Sequence, residues 1–432
     1  MLLIKGGHVC GSSERSTDIL IENSKISLIA ESITESCETT VLDASGLVIA
    51  PGLVDMHTHF RDPGFEYKED ILTGAAAAAA GGVTTCCCMP NTSPVADSAE
   101  VIEYIVDKAK TTPIRVMPYG AVTIGQKGGE LTDFEQLKAA GAVALSDDGN
   151  PIESAGLARR AMQLASKCGL MIISHCEDAE MVKDFAVNEG AVSSKLGIPG
   201  RPAIAEEIMV ARDALLAAET GARVHIAHVS TAGSVEIIRR MKAADATITA
   251  ETCPQYFTLT EDDVLTKGAL ARVNPPLRSA EDVAAIIRGL ADGTIDAIAT
   301  DHAPHSEAEK SLPLTEAPSG MIGLETSLAL ALKFLYHTGE LSMERIIALM
   351  STNPARMLGI EGGTLAVGSV ADIVIFDPDG VWTVDPNQFK SKARNTPYAG
   401  MSLRGRVLYT ISRGKLVYNH NAWCANSQKK GV

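Results

Sequence analysis

The sequence predicts an α/β fold, a (β/α)8 TIM barrel with a small β-sandwich domain formed by both termini. Between residues 54 and 304, eight short apolar or β-branched runs alternate with segments of helical length, as in a closed parallel barrel. Before and after this region, the chain consists of short strand-like runs broken by turn residues. With 432 residues, 46% of them hydrophobic, the chain can bury a core of this size.

The eight predicted barrel strands follow one another at regular intervals. They are VDMHTHF from Val54, VTTCCCMP from Val83, IRVMPYGAV from Ile114, AVALSDDG from Ala142, MIISHCED from Met171, RVHIAHVS from Arg223, ATITAETCP from Ala246 and AIATDHAP from Ala297. The helix-like segments between them include residues 97–110, 155–167, 203–219, 232–243 and 280–290. Continuously apolar strands fit a sheet that is covered on both faces. An open doubly wound sheet is the alternative that this pattern leaves.

The two ends of the chain are predicted to pair with each other. We expect residues 1–50 and 362–432 to form a composite β-sandwich domain, and residues 51–361 to form the (β/α)8 barrel. The alanine run from Ala75 to Ala80 is expected to be a helix packed closely on the barrel. The last twelve residues, NAWCANSQKKGV, are expected to be a loose tail.

Charge and cysteine content restrict the class of partner. Lysine and arginine number 38 and aspartate and glutamate 53, for a net charge of −15, which argues against nucleic-acid binding. No signal peptide is apparent, and no apolar run approaches the roughly 20 residues that span a bilayer, so no membrane partner is expected. Nine cysteines, three of them adjacent, are typical of reduced thiols in a cytoplasmic protein.

Side chains that bind metals collect at the ends of the predicted strands. They are His57 and His59 after the first run, Asp147 or Asp148 after the fourth, His175 after the fifth, His228 after the sixth and Asp301 after the eighth. The carboxyl ends of barrel strands meet at one mouth. Four imidazoles and two carboxylates suit zinc or a similar divalent ion. Adjacent residues of a strand face opposite ways, so the sequence leaves open which aspartate of the pair enters the pocket.

The same alternation predicts which neighbouring residues face the pocket and which face away from it. His225 is three residues from His228, so we expect it to face the helices and to be structural. His302 is expected to turn away from the pocket, whereas His305 lies on the following loop, where it could cover a substrate. The adjacent cysteines Cys86 to Cys88, and Cys253, are interpreted as buried packing residues.

Seven segments resemble the amidohydrolase superfamily, and within it class I dihydroorotases. They are HTHFRDPGFEYKED (57–70), MPNTSP (89–94), LSDDG (145–149), ISHCED (173–178), IAHVST (226–231), VNPPLR (273–278) and ATDHAPH (299–305). GTLAVGSVADIVIFD (363–377) is similar to the superfamily's return into its β-sandwich. Together these segments cover nearly the whole chain in the family's order.

The resemblance implies a binuclear zinc centre, although other divalent ions would also fit. His57, His59 and Asp301 would bind one ion, His175 and His228 the other, and Asp148 would bridge both. Many relatives, hydantoinases among them, use a carboxylated lysine on the fourth strand as the bridge. ALSDDG contains no lysine, so this chain would supply the bridging carboxylate directly.

The resemblance also implies a set of substrate contacts. Arg61, Asn91 and His305 match positions that hold a substrate carboxylate, and Asn274 matches one that contacts the ring. A guanidinium fork binds a carboxylate with two parallel hydrogen bonds, which gives Arg61 a physical reason for its place. The loop EAPSGMIG (316–323) is expected to be a lid whose Ser319 and Gly320 contact substrate; Ser319 departs from the larger apolar residue of the family pattern.

The implied activity is reversible hydrolysis and cyclisation between (S)-dihydroorotate and N-carbamoyl-L-aspartate in pyrimidine (UMP) biosynthesis. The hypothesis assigns attack to a metal-activated hydroxide, with Asp301 as the catalytic general acid and base. The enzymatic alternative is another cyclic amidohydrolase, such as a hydantoinase (dihydropyrimidinase) or an allantoinase. The non-enzymatic alternative is an inactive structural partner. A homodimer, or association with another pyrimidine-pathway enzyme, is a further expectation.

Overall fold

Eight parallel strands form the barrel in the computed structural model, which describes residues 1–13, 16–37, 39–183, 185–244 and 246–420. The strands are Leu53–Thr58, Val83–Cys88, Arg115–Gly120, Ala144–Ser146, Ile172–Ser174, Val224–Ile226, Ile248–Thr252 and Ala297–Ile298, which we number first to eighth. Each pairs in parallel with the next along the chain. The sheet closes where Thr58 pairs with His302 and the His59 amide donates to the His302 carbonyl at 2.9 Å. The predicted barrel is therefore confirmed.

Helices surround this sheet and connect its strands. The longer ones are Ile71–Ala80, Ala99–Ala109, Phe134–Ala140, Ala155–Cys168, Ile204–Thr220, Ala232–Ala243 and Ala280–Asp292, and after the eighth strand come Ser327–Ala331, Leu332–Tyr336, Met343–Ile347, Ala348–Thr352 and Asn353–Leu358. Shorter helices are Ile124–Gln126, Ala179–Val182, Ala191–Leu196, Gln255–Thr258, Asp263–Lys267, Gly268–Ala271, Glu307–Lys310 and Pro386–Gln388. None of the helices in these described ranges is both long and apolar enough to cross a membrane.

The alanine-rich helix Ile71–Ala80 packs closely, as expected. Asp70 caps it by accepting from the Thr73 amide at 2.8 Å. A side chain at Gly74 would lie 2.5 Å from the Phe60 ring, so only glycine allows this approach. Small residues on one face therefore bring the helix against the end of the first strand, where the ligand-type histidines lie.

Alternate residues of each strand face the barrel interior and the helices. Met56, Cys87 and Tyr119 pack together inside, and the Tyr119 hydroxyl donates to the Met56 carbonyl at 2.9 Å. Cys86 and Cys88 belong instead to the large core shared with the helices. The three adjacent cysteines are thus packing residues on both faces of the second strand, as predicted.

Both termini contribute to a second, separate sheet of mixed direction. Its strands are Leu2–Val9, Thr17–Glu22, Lys25–Ala30, Thr40–Asp43, Val48–Pro51, Ile373–Thr383, Ser402–Ser412 and Lys415–Asn419. The two halves join where Val48–Pro51 pairs antiparallel with Ile373–Thr383. The domain boundaries after residues 50 and 361 stay a prediction. The predicted loose tail, residues 421–432, lies outside the described residues.

Candidate active site

Two histidines of the first strand and an aspartate after the eighth form one half of a buried cluster. His57 Nε2 lies 3.5 Å from Asp301 Oδ1, and His59 Nε2 lies 3.0 Å from the same oxygen. His57 lies in the first strand and His59 directly follows that strand, and both imidazoles reach the same carboxylate oxygen. His57, His59 and Asp301 lie close enough to hold one ion together.

The other half of the cluster comes from the fourth, fifth and sixth strands. His175 Nδ1 and His228 Nε2 are 2.7 Å apart, and each lies within 3.5 Å of Asp148 Oδ1. Asp148 Oδ2 faces the first half at 3.5 Å from His59. The carboxylate of Asp148 therefore lies between the two halves, and His57, Asp148 and His228 form a second group that could hold an ion.

The donor set fits divalent metal ions. His57 Nε2 and Asp148 Oδ1 are buried and have no hydrogen-bond partner among the described residues, although they lie 3.4 Å from each other. Buried lone pairs without partners are costly, and a cation between them would satisfy both. Imidazole nitrogens with carboxylate oxygens are ligands that zinc and similar ions accept.

Electrostatics also favour a cation in this cluster. Burial would raise the pKa of Asp148, but the imidazoles of His57, His175 and His228 outweigh it and hold that pKa well below its ordinary value. Burial would lower the pKa of His175, yet the Asp148 and Glu177 carboxylates raise it to about 9. The carboxylates thus draw positive charge into the site, which a bound divalent ion would supply.

The structure decides between the two adjacent aspartates. Asp147 turns away from the cluster and accepts hydrogen bonds from the Val122 amide at 2.8 Å and from the Thr123 amide and hydroxyl at 3.1 and 2.5 Å. It therefore holds the loop after the third strand, while Asp148 enters the pocket.

One prediction is wrong: His225 does not face the helices. Its neighbours Val224 and Ile226 pack in the helix-facing core, whereas His225 Nε2 lies 3.2 Å from Glu251 Oε2. The strand ends at Ile226, and His228 has a φ of +33°, so the alternation does not continue between the two histidines. Counting residues along an uninterrupted strand therefore gave the wrong side.

Two other residues behave as predicted. His302 turns away from the cluster, with Nε2 3.5 Å from Glu69 Oε2 and Nδ1 accepting from the Gly323 amide at 3.2 Å. Cys253 is buried in an apolar cluster with Tyr256, and burial raises the pKa of its thiol well above the ordinary value. A thiol held neutral in this way packs and is a poor nucleophile.

A pocket opens beside the cluster. All six residues predicted to contact substrate line it, together with most of the proposed ligands: Arg61, Asn91, Asn274, His305, Ser319 and Gly320 with His59, Asp148, His175, His228 and Asp301. The structure therefore brings the predicted set together at the carboxyl ends of the strands.

Arg61 supplies a positive charge to this pocket. Its Nε donates to the Pro304 carbonyl at 3.3 Å, and Nη2 lies 3.4 Å from His305 Nε2. Within the described ranges, no carboxylate lies within 4 Å of the guanidinium. A partly buried guanidinium without a carboxylate partner is a suitable binding group for an anionic ligand.

Two asparagine amides are oriented by their neighbours. Asn91 Oδ1 lies 2.9 Å from His59 Nδ1, which leaves its amide nitrogen as a donor. Asn274 Oδ1 accepts from the Arg201 guanidinium, and its amide nitrogen lies 3.3 Å from His175 Nε2. Arg201 also donates to both oxygens of Glu177 at 2.9 and 3.0 Å.

Sequence reasoning missed these supporting residues. Glu177 lies 3.5 Å from His175 Nε2, and Glu251 Oε1 lies 2.7 Å from His57 Nδ1. A single carboxylate inside the apolar run ATITAETCP was the available signal for Glu251, because a charge in a buried strand needs a partner.

The lid loop is bound to His305. His305 Nε2 donates to the Ser319 carbonyl at 2.9 Å. Burial, together with the cations Arg61, Lys68 and Lys310, lowers the pKa of His305 to about 2, so the ring is neutral near pH 7. Gly320 has a φ of +133°, and a side chain there would lie 2.7 Å from Ala303 Cβ. The loop conformation therefore requires glycine.

Comparison with known proteins identifies the family of this chain. Residues 46–234 match a family described as dihydro-orotase-like. The dihydroorotase of Pelotomaculum thermopropionicum is 52% identical over 420 residues, which cover 96% of this chain and 98% of that protein. The dihydroorotase of Citrifermentans bemidjiense is 49% identical over 421 residues, covering 96% of this chain and 99% of that protein. The chain belongs to the dihydroorotase family.

Solved structures of related enzymes share the fold. The L-hydantoinase (dihydropyrimidinase) of Arthrobacter aurescens superposes with a TM-score of 0.86 at 28% identity, over 97% of this chain and 96% of that chain. The dihydropyrimidinase of Brevibacillus agri gives a TM-score of 0.85 at 25% identity, over 96% and 95%. This member of the dihydroorotase family is therefore built like other cyclic amidohydrolases.

Proposed function

We propose that this chain catalyses the reversible hydrolysis of (S)-dihydroorotate to N-carbamoyl-L-aspartate in pyrimidine (UMP) biosynthesis. Dihydroorotases about 50% identical over nearly the full chain support this reaction. The observation that carries it is Arg61, a guanidinium without a carboxylate partner in the described chain, which lines the same pocket as the histidine–aspartate cluster. Dihydroorotate carries a carboxylate beside its cyclic amide, whereas hydantoin does not.

The proposed ligands of two zinc ions are those brought together at the strand ends. His57, His59 and Asp301 would hold one ion, His175 and His228 the other, and Asp148 would bridge them. When bound, the ions supply an activated water and polarise the amide carbonyl. The partnerless Nε2 of His57 and Oδ1 of Asp148 support this assignment.

Asp301 is the proposed catalytic acid and base. Its carboxylate lies at the pocket and within 3.0 Å of His59 Nε2. Asp301 takes the proton released as water adds to the amide carbon, and it gives that proton to the ring nitrogen as the C–N bond breaks. In the direction of ring closure, the same carboxylate removes a proton from the ureido nitrogen.

The remaining pocket residues bind and orient the substrate. Arg61 would hold the substrate carboxylate with its free N–H groups, and Asn91 would add its amide nitrogen, because its oxygen is committed to His59. Asn274, held by Arg201, would contact the ring. His305 would reach the carboxylate as a neutral donor when the bond to the Ser319 carbonyl is exchanged.

A reducing, cytoplasmic location is part of the proposal. All eight cysteines within the described residues are free thiols. A homodimer or an association with another pyrimidine-pathway enzyme stays a prediction.

The test combines metal analysis with an ultraviolet assay of purified protein in both directions. We expect bound divalent metal and turnover of dihydroorotate well above that of hydantoin and allantoin. Asp148→Asn should lose metal, while Asp147→Asn is the matched control that keeps it, because within the described ranges the hydrogen bonds that the Asp147 side chain accepts come from the loop after the third strand. A folded, metal-loaded protein that is inert towards dihydroorotate in both directions would overturn the proposal.

A further inference from the structure

Glu251 is a fully buried carboxylate inside the barrel. It belongs to the seventh strand and has a relative exposure of 0%. Its two oxygens face two imidazoles on opposite sides, with Oε1 2.7 Å from His57 Nδ1 and Oε2 3.2 Å from His225 Nε2. A buried carboxylate is stable only when such partners compensate it.

The contact with Glu251 determines which nitrogen of His57 carries the proton. A carboxylate only accepts hydrogen bonds, so Nδ1 must be the donor. In the neutral ring, Nε2 then keeps its lone pair, and this is the atom that points at Asp148 and Asp301 from 3.4 and 3.5 Å. If Nε2 carried the proton, it would donate to one of those carboxylates and could not bind a metal.

His57 and His59 have different partners at Nδ1. The neutral amide of Asn91 faces His59 Nδ1 at 2.9 Å, whereas a carboxylate faces His57 Nδ1 at 2.7 Å. A carboxylate partner makes an imidazole a stronger ligand than an amide partner does, because it stabilises the positive charge that develops on the ring. The two histidines of one strand are therefore expected to bind metal with unequal strength.

His225 restrains the other side of the carboxylate. Its Nδ1 lies 2.7 Å from the hydroxyl of Thr249, its paired residue on the seventh strand. Its Nε2 lies 3.2 Å from Glu251 Oε2, a contact in which neither atom makes a hydrogen bond but which places an imidazole beside the second carboxylate oxygen. This explains why a histidine with no place among the predicted ligands lies inside the barrel.

We propose that Glu251 is a positioning residue for the metal centre, which holds His57 with Nε2 free to bind the ion, and that His225 supports Glu251 in this role. The inference rests on the proposed metal centre. It assigns to Glu251 no contact with substrate.

The test measures metal binding rather than activity. Glu251→Gln and Glu251→Leu are compared with wild type by metal content after dialysis and by zinc affinity in chelator competition. Loss of such a partner weakens metal binding by about 10- to 100-fold. Glutamine retains an acceptor for His57 Nδ1, so we expect Glu251→Gln near the low end of this range and Glu251→Leu near the high end. Nitrogen-15 spectra of the histidine rings should show the His57 proton on Nδ1 in the zinc-loaded wild type.

Glu69→Gln is the matched control. Glu69 is equally buried and pairs with a histidine, but that histidine is His302, which turns away from the cluster. This variant should bind zinc within about twofold of wild type, so that a loss specific to Glu251 is separated from the general loss of a buried carboxylate.

The outcomes separate this inference from the proposed function. Glu251 variants that fold and bind zinc as tightly as wild type would overturn the inference alone. A His57 proton on Nε2 in the zinc-loaded protein would overturn the inference and also the assignment of His57 as a ligand. Wild-type protein that binds no divalent ion would overturn both the metal centre and the inference. If Glu251→Leu does not fold, as judged by circular dichroism, the zinc affinities of Glu251→Gln and Glu69→Gln are compared instead. Equal affinities of these two variants would overturn the inference.

Discussion

Replacing Arg61 by methionine tests the basis of substrate selection. Methionine keeps an unbranched stem of similar length but removes every N–H group and the charge. Arg61 has a φ of +61°, and methionine meets the same backbone restriction, so the change should leave folding and metal content unaltered. The effect should appear in substrate capture.

The magnitude follows from the contacts of the guanidinium. Of its five N–H groups, the one on Nε donates to the Pro304 carbonyl. His305 Nε2 lies 3.4 Å from Nη2, but it donates to the Ser319 carbonyl and cannot accept from Arg61, so four N–H groups remain within the described chain. A bidentate carboxylate uses two of these, and a hydrogen bond to a charged group contributes about 1.5–3 kcal/mol. Two bonds from one group are not fully additive, so we expect a loss of about 3–4 kcal/mol, or roughly 10²- to 10³-fold in kcat/KM.

Steady-state kinetics with dihydroorotate, followed by ultraviolet absorbance, measure this loss. Arg61→Lys is the informative companion, because it keeps the charge without the planar fork and should fall between wild type and Arg61→Met. Any slow turnover of hydantoin, which has no carboxylate, should be unaffected by either change. Unchanged kcat/KM for dihydroorotate in a folded, metal-loaded Arg61→Met would refute the carboxylate assignment.

Four further predictions concern the same site. Asp301→Asn should lower kcat by about 100-fold or more, measured with the metal content of the same sample, and a fall that metal loss fully accounts for would contradict the acid–base role. Dialysis against a chelator should abolish turnover and zinc should restore it; activity that survives complete metal removal would exclude the metal centre. His305 has a folded-state pKa of about 2 against 6.5 when unfolded, so the unfolded chain binds more protons between these values and stability falls as the pH drops below about 6.5. Between pH 6.5 and pH 5 the free energy of unfolding should therefore fall by about 2 kcal/mol less in His305→Gln than in wild type, as measured by urea unfolding. An equal fall in both proteins would argue against a neutral His305. Gly320→Ala should raise KM by displacing the lid loop, since its Cβ would lie 2.7 Å from Ala303 Cβ; an unchanged KM would show that the lid does not contact substrate.

The alternation of strands and helices predicted the barrel because each predicted strand is short, apolar and bounded by residues that break it. The same pattern predicted where ligands would gather, since parallel strands bring their carboxyl ends to one mouth. His57, His59, His175, His228 and Asp301 are all found there. A strand-end position was enough to predict that these side chains lie together, because the topology of the sheet determines where strand ends lie.

A local irregularity of the backbone caused the one wrong prediction, the position of His225. His225 lies inside the barrel although residue counting placed it outside, because the backbone leaves the extended conformation between Ile226 and His228. Alternation is a property of regular strands, and the residues that carry the chemistry lie where the strands end. Arg61 and Asp301 likewise have positive φ values of +61° and +48°, which no residue pattern indicates.

The sequence by itself determined the fold class, the types of side chain at the strand ends and the order in which the strands present them, because these depend on hydrophobic pattern and on chain topology. Only the tertiary structure decided that Asp148 rather than Asp147 enters the cluster, and that Glu251 links His57 to His225. These choices depend on backbone angles of a few residues and on contacts between strands far apart in the chain. A one-dimensional pattern contains neither, since a rotation at one residue moves a side chain from one face of the sheet to the other.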